Sequence, residues 1–256
     1  MRLIVISILL IFLVSCEGIL NLEVIGDGNS VSPVRRNLDA FSEIEFYDAF
    51  ELEIRPSAQQ QVFVQADSNL LRYITTEVND DRLTIQRLSN YDLFPRKPIR
   101  VLVHTPDIST VDVYGNGIVT IDSLNAASME LNIYSRATVG LNGLEVETMS
   151  ILSNSGGSIY LDGLFENLLF RQAGSGHAEL RGRAGTAQII QEGSGVVDAQ
   201  PFLTDSVSVR LFGSGLIYFL SGEFSSVSID GKGRVYFSGT DPKHTHIEGG
   251  GSIFRN

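Results

Sequence analysis

The sequence predicts an all-β protein, a right-handed parallel β-helix or β-solenoid with 18–20 residues per coil, preceded by a β-rich segment with one short helix. Three observations predict this fold class. Triplets of small residues recur at nearly constant spacing, apolar and polar residues alternate on both sides of each triplet, and the same columns match from coil to coil. Such internal periodicity is the signature of stacked repeats.

The first residue of each triplet marks the repeat. Successive markers are separated by 18 to 20 residues, and the position two residues after each marker is always Gly or Ala. A bend that requires positive φ or a close approach of two backbones explains why only tiny residues occur there. The markers are Gly115, Ser135, Ser155, Gly174, Gly193, Gly213, Gly231 and Gly249.

Apolar residues flank the markers at matching offsets. The positions four before, four after and six after the marker are apolar in most coils, and the positions between them are mostly polar or mixed. A period of two predicts strands, so each coil has one strand on either side of the bend. Equivalent side chains then stack in register, and the crossovers between parallel strands are expected to be right-handed.

Residues 38–94 have a different texture and form the predicted N-terminal β-rich part. Asp67-Ser68-Asn69 is a sequence that can cap a short helix over Leu70 to Thr75. The proline-containing stretch 90–98 is expected to be a loop, and residues 95–256 form the predicted solenoid region. The predicted strands of the N-terminal part carry the pairs Ile44 and Phe46, Leu52 and Ile54, Val62 and Val64, and Leu83 and Ile85.

These N-terminal motifs and the coils after them resemble a bacterial family called "putative auto-transporter adhesin, head GIN domain". The resemblance covers roughly residues 38 to 254. It implies a β-helix-like body on an exported, often lipid-anchored protein, and it supplies no catalytic residues. The residues that carry the resemblance, besides the glycine-rich coils, are Asp67, Asn69, Leu70, Leu71, Leu83, Ile85, Val101, Val103 and Pro106.

The N-terminus predicts export and lipid anchoring. Residues 1–15 combine one positive charge with an apolar run that is short for a membrane span, which is typical of a signal peptide. The run ends in Leu-Val-Ser before Cys16, the only cysteine, and this ending resembles a bacterial lipobox. We therefore expect lipidation of Cys16, a tether over residues 16–37, and a location at the outer membrane or cell surface, with the periplasmic face as the alternative.

The formal net charge of −11 disfavours nucleic acid as a partner, because phosphates require a basic face. The glycine triplets do not predict a phosphate-binding loop either. Such a loop needs a helix N-terminus beyond it, whereas a strand is predicted after every triplet, including Gly231-Lys232-Gly233. No cofactor is expected.

One outward column is a candidate partner surface. Tyr218, Tyr236 and Phe254 occupy the position five after the marker in three consecutive coils, beside Leu216 and Arg234. Aromatic rows can contact sugars or a protein partner. The alternative is a ladder of side chains that only stiffens the sheet.

His244, His246 and Glu248 alternate along one predicted strand and so share a face, which is a pattern able to hold a metal ion. Asp230 is expected one coil below Glu248. The alternative is a solvated terminal coil without a ligand. Such a coil exposes strand edges, and Arg255, at an inward offset, would blunt them.

Carboxylates do not converge with a basic residue in the pattern expected of β-helix enzymes that cleave polysaccharides. Asp122, Asn142 and Asp162 form a column, but each precedes a turn that Asx residues favour. The sequence therefore predicts a non-enzymatic binding, adhesin-like or structural module of the cell envelope. A carbohydrate-active β-helix enzyme, lyase-like or hydrolase-like, is the alternative, and the oligomeric state is left open.

Overall fold

The computed structural model describes residues 21–154 and 156–256, and it confirms the β-solenoid. These residues form 22 strands and a single 3-10 turn, η1 (Leu71–Tyr73). Twenty strands join one sheet, while β1 and β8 pair with each other. In this part of the chain, no helical segment has the length and hydrophobicity that a membrane span requires.

The strands before the regular repeat are β1 (Leu22–Ile25), β2 (Val34–Arg36), β3 (Glu43–Phe46), β4 (Glu51–Pro56), β5 (Gln61–Gln65), β6 (Ile74–Asn79), β7 (Arg82–Arg87), β8 (Tyr91–Phe94) and β9 (Arg100–Thr105). The strands of the repeat are β10 (Thr110–Val113), β11 (Ile118–Asp122), β12 (Asn125–Ile133), β13 (Thr138–Ser153), β14 (Ser158–Gln172), β15 (His177–Gln191), β16 (Val196–Ala199), β17 (Phe202–Leu211), β18 (Leu216–Ser221), β19 (Phe224–Gly231), β20 (Arg234–Gly239), β21 (His244–Gly249) and β22 (Ser252–Arg255).

Two parallel ladders run along the solenoid, one on each side of the glycine bends. The first joins β7, β3, β10, β12, the C-terminal halves of β13 to β15, and then β17, β19 and β21. The second joins β9, β4, β11, the N-terminal halves of β13 to β15, and then β16, β18, β20 and β22. In the middle coils the predicted pairs of strands fuse into the long strands β13, β14 and β15.

The predicted inward columns form the core. The column four residues after the marker is fully buried in seven coils, and only its last member, Ile253, is partly exposed. Stacking of like side chains removes apolar surface from water over the whole length of the ladder, which is the main driving force for the fold. The buried members are Val119, Val139, Ile159, Ala178, Val197, Ile217 and Val235.

The N-terminal part is built into the same sheet as the repeat. Strands β3 and β4 form a coil that lies between the β10/β11 coil and the β7/β9 coil, so the chain order differs from the spatial order. Strands β5 and β6 pair antiparallel to β9 and β7. This reversal covers the first coil with a layer that does not repeat.

The predicted helix cap has another role. The only helical element described here is η1, and its N-cap residue Leu70 makes no side-chain hydrogen bond. The backbone amide of Arg96 donates to the buried carboxylate of Asp67 at 2.7 Å, and Asn69 bonds to the backbone of Ile25 and Asp27 at 2.8 and 3.0 Å. The capping prediction was wrong because these side chains hold the N-terminal segment instead.

Two segments expected to lack structure contain strands. β8 (Tyr91–Phe94) lies in the predicted loop 90–98, and it pairs with β1 in the segment predicted as a tether. β2 in the same segment pairs with β5. The part of the tether that the structure describes, from residue 21, is therefore held against the solenoid.

The glycine bends pack directly on one another. A Cβ atom at Gly193 would lie 2.2 Å from the carbonyl oxygen of Gly174, so no larger residue fits. The amides of Ser214 and Gly215 donate to the Gly193 carbonyl at 3.1 and 3.0 Å. These donors are used within the stack, and a strand follows each bend, so the bends do not form a phosphate cradle.

Candidate functional site

The aromatic column of the C-terminal coils lies on the outer face of the second ladder. Strand register places Tyr218, Tyr236 and Phe254 side by side, with Asp198 preceding them on β16. The rings of Tyr218 and Tyr236 stack at 5.0 Å between centroids and 14° between planes, and those of Tyr236 and Phe254 at 5.2 Å and 24°. We call these three residues, with Leu216 and Arg234, the aromatic stripe.

The stripe is partly open to solvent. Phe254 is 44% exposed, Arg234 is exposed, and Leu216, Tyr218 and Tyr236 are half-buried. Because the rings stack face to face, a ligand lying on the stripe would meet ring edges, phenol hydroxyls and aliphatic groups. The arrangement offers a mixed apolar and polar surface and few free ring faces.

An acidic patch continues the same column toward the N-terminus, and the sequence analysis did not single it out. Glu179 and Asp198 are cross-strand neighbours, and Arg181 bonds to Glu179 at 2.8 and 2.5 Å. The Glu179 carboxylate raises the pKa of Arg181. A shallow cavity of about 290 Å³ lies beside Tyr160, Glu179 and Arg181. The signal was present in the sequence, because all these acidic residues share the column of the aromatic stripe.

A second aromatic ladder lies near the other end of the molecule. The rings of Tyr47, Tyr114 and Tyr134 stack at 4.7 and 4.8 Å, both pairs within 10° of parallel. Burial raises the pKa of both Tyr47 and Tyr114, with further contributions from Glu45 at the first and Asp112 at the second. The repeat does not predict this ladder, because Tyr47 directly follows β3 and lies outside the regular coils.

The histidine cluster is only partly as expected. His246 and Glu248 share a face of β21, with 3.1 Å between Nε2 and Oε1, and Asp230 on β19 is the cross-strand neighbour of Glu248. Potential ligand atoms of these three residues all lie within 4.8 Å of one another. His244 is not part of this group, because register places it beside Ser226.

The remaining predicted features are mostly accounted for by local structure. Asn142 donates to Asp122 of the preceding coil at 2.8 Å, so a side-chain bond between coils holds this part of the column. Arg255 is exposed, and its guanidinium lies over the Phe237 ring at 5.2 Å. Cys16 lies outside the described residues, so its lipidation stays a prediction.

Together, the fold and these surfaces define the class of the protein: a parallel β-solenoid that displays aligned rows of side chains along its coils. The chain belongs to the family described as "Putative auto-transporter adhesin, head GIN domain", whose profile matches residues 40–181 and 165–241. This membership confirms the resemblance that the N-terminal motifs indicated. No curated protein matches the chain.

Solved structures share the fold. A crystal structure of a "putative lipid binding protein" from Parabacteroides distasonis is 24% identical, with a TM-score of 0.83 over 91% of this chain and 99% of that one. A "putative adhesin" from Parabacteroides merdae is 19% identical, with a TM-score of 0.77 over 91% and 99%. Another from Parabacteroides distasonis is 21% identical, with a TM-score of 0.69 over 91% and 100%. At these identities the likeness shows the fold alone.

Proposed function

We propose that this chain is a lipid-anchored protein of the bacterial cell envelope that binds a protein partner through the aromatic stripe, without catalysing a reaction. The single observation that carries the proposal is the stripe itself, in which Tyr218, Tyr236 and Phe254 form a stacked row that stays partly open to solvent. Tyr, Phe and Arg are enriched at the centres of protein interfaces.

The ring geometry favours a protein over a glycan as the partner. Sugars pack on the free faces of aromatic rings, whereas in the stripe both faces of Tyr236 and one face each of Tyr218 and Phe254 meet a neighbouring ring. A protein side chain can instead pack against ring edges and Leu216 while bonding to the tyrosine hydroxyls or to Arg234. A glycan ligand is the outcome that the experiment below would reveal if this choice is wrong.

The anchor and the stripe would lie at opposite ends of the solenoid. Leu22, the start of β1, follows Cys16 by six residue steps, a distance of at most about 22 Å. β1 pairs with β8, which connects the two strands of the first coil. Nine strand steps separate β9 from β22, or roughly 43 Å at about 4.8 Å per step. An anchored chain would thus hold the stripe away from the membrane.

A non-enzymatic role is supported by how the surface carboxylates are used. Glu179 bonds to Arg181, Asp122 accepts from Asn142, and Glu192 pairs with Arg171 at 2.8 Å. Each of these contacts has a structural reason within the ladder. The alternative, a carbohydrate-active enzyme, would release new reducing or unsaturated ends from polysaccharides, and detection of such products would refute the non-enzymatic proposal.

Binding to intact cells tests the stripe. The double variant Tyr218→Ala/Tyr236→Ala should bind at least about tenfold more weakly than the unmodified chain, because aromatic anchors dominate interface energy. Tyr114→Ala/Tyr134→Ala is the matched control, since it removes two stacked tyrosines from the other ladder and should bind normally. Protease treatment of the cells should abolish binding. Binding that survives protease but is lost after periodate oxidation would identify a glycan instead, and equal binding by all variants would refute the stripe.

The anchor is tested separately. Cys16→Ser should abolish incorporation of labelled fatty acid and release the protein from the membrane fraction, because the thiol is the acylated group. Protease added to intact cells should degrade the unmodified protein if it faces outward. Protection from protease would place it on the periplasmic side, which is incompatible with binding to other cells.

A further inference from the structure

Asp230, His246 and Glu248 form a compact group on the outer face of the last two coils, which we call the β19–β21 cluster. In a strand, residues two apart point to the same side, so His246 and Glu248 both project outward from β21. Parallel register then places Asp230 of β19 directly beside Glu248. The fold thus brings one imidazole and two carboxylates together from only two strands.

The distances are close to those of a cation site. The three potential ligand atoms lie within 4.8 Å of one another, and His246 Nε2 is 3.1 Å from Glu248 Oε1. Zn²⁺ bonds of about 2.0–2.2 Å in tetrahedral geometry require ligand atoms about 3.4 Å apart. Since His246 and Glu248 are exposed and Asp230 is half-buried, small side-chain rotations suffice to close the remaining gap.

The two carboxylates of the cluster form no direct salt bridge with an Arg or Lys of the described residues, although Arg210 and Lys243 line the same cavity as Asp230. Within the described residues, neither Asp230 nor Glu248 has a Lys or Arg nitrogen within 4 Å, and the only ion-pair partner of Glu248 is His246. Like charges on directly paired residues destabilise a sheet. In the second ladder, Glu179 and Asp198 form a similar carboxylate pair. That pair differs because Arg181 forms a salt bridge with Glu179. A bound cation would supply the positive charge that Arg181 supplies to Glu179.

We propose that the β19–β21 cluster binds a divalent transition-metal ion of the zinc class. An imidazole nitrogen with two carboxylate oxygens is a donor set that suits zinc, and three protein ligands leave a further position for water. Because the ligands come from two neighbouring strands, the ion fastens β21 to β19. Every residue of β21 is exposed, so the ion would stabilise the coil that has the least packing of its own.

Titration calorimetry with zinc chloride on the full chain, without a histidine affinity tag, tests the site. One ion should bind per chain. His246→Ala and Glu248→Gln should each weaken the affinity at least about tenfold, since even residues outside the ligand shell typically cost 10–100-fold. His244→Ala is the matched control, because it removes a histidine from the same strand and face but outside the cluster, and its affinity should be unchanged.

Two further readouts distinguish a built site from surface adsorption. Cobalt(II) should give a visible absorption band with the unmodified chain and with His244→Ala, and the band should be lost in Asp230→Asn. Zinc should raise the melting temperature of the unmodified chain but not that of His246→Ala, while the melting temperatures without zinc agree. Absence of saturable binding, or an equal loss of binding in His244→Ala, would overturn the proposal.

Discussion

The two ends of the solenoid are finished in different ways. At the N-terminal end, β5 and β6 run antiparallel to the first coil, and their inward residues Val62, Val64 and Ile74 are buried. At the C-terminal end, β21 is exposed at every residue and β22 is at best half-buried. A parallel coil buries its apolar columns only against its neighbours, so the last coil depends on something that does not repeat.

The inward side chains of the last coil also differ from those at the capped end. In the first ladder the inward column ends in Val227, which is buried, and then Thr245, which is exposed. In the second ladder Phe237 is buried, and Arg255 replaces the next apolar residue and covers its ring. At the capped end the innermost residues remain large and apolar, as Leu83 and Ile85 of the first coil show. The composition of a coil therefore reports whether a further layer covers it.

Hydrogen exchange should show the largest contrast. Backbone amides of β4 and β9, paired on both sides, are expected to exchange only through global unfolding, whereas those of β21 open locally at little cost. The difference in protection should approach the full stability of the domain, about 5–15 kcal/mol. Mass spectrometry of peptic peptides measures it, and equal protection at both ends would contradict the comparison.

Core truncation should have the next largest effect. Phe46→Ala, one coil in from the capped end, removes a fully buried ring and should lower the free energy of unfolding by about 3–5 kcal/mol. Phe254→Ala removes a ring that is 44% exposed and stacked on one face, so about 1 kcal/mol is expected. Urea denaturation gives both values, and a cost for Phe254→Ala as large as that for Phe46→Ala would show that the last coil is packed more tightly than described.

Alanine substitution should also cost more stability at the first glycine bend of the repeat than at the last one. A Cβ atom at Gly115 would lie 2.0 Å from the Asp48 carbonyl oxygen, whereas at Gly250 its nearest neighbour is a Lys232 side-chain carbon at 3.8 Å. Gly115→Ala should therefore cost about 1–3 kcal/mol, as overpacking does. Gly250→Ala should be nearly neutral when measured by the same urea denaturation. A tolerated Gly115→Ala would mean that the bends can move apart.

The smallest expected effect concerns the hydrogen bond between Ser68 and Asp27, which holds the N-terminal segment against the rest of the fold. The hydrogen bond that the Ser68 hydroxyl donates to an Asp27 oxygen at 2.5 Å is the main cause that lowers the pKa of Asp27 from its ordinary value. A lowered pKa in the folded state stabilises the fold above the unfolded value, and this contribution disappears as the pH falls through the folded value. Ser68→Ala should raise the pKa of Asp27 in an NMR titration. Ser252→Ala, at the opposite end, should leave it unchanged, and a shift in both variants would rule out the direct bond as the cause.

Much of the fold was predictable because the repeat is local. The markers and the apolar columns around them define each coil, and Val119, Val139 and Val197 are buried as the offsets require. The same columns placed Tyr218, Tyr236 and Phe254 on one outer row. The exception is the last coil, where the pattern places Arg255 inward although that residue is exposed.

The residues that prediction missed are those whose partners lie far away in the chain. Tyr47 stacks on Tyr114 only because β3 inserts between β7 and β10, and no periodicity records that insertion. Asp67 has the spacing of a helix cap, but its buried carboxylate takes the Arg96 amide instead. Likewise, the period of two along β21 grouped His244 with His246, whereas only Asp230, at its expected place beside Glu248, joins His246 and Glu248 in the folded chain.

The sequence by itself determined the coil, the bends and the buried columns, since all of these depend on patterns that repeat every 18 to 20 residues, and its N-terminal motifs together with the coils indicated the family. Only the tertiary structure decided the order of the first coils, the cap formed by β5 and β6, and the exclusion of His244 from the β19–β21 cluster. The physical reason is the separation along the chain of the residues that interact. Alternation and tight bends are set by neighbours along the chain, whereas the closing of a solenoid end depends on surfaces that meet only after the coils have stacked.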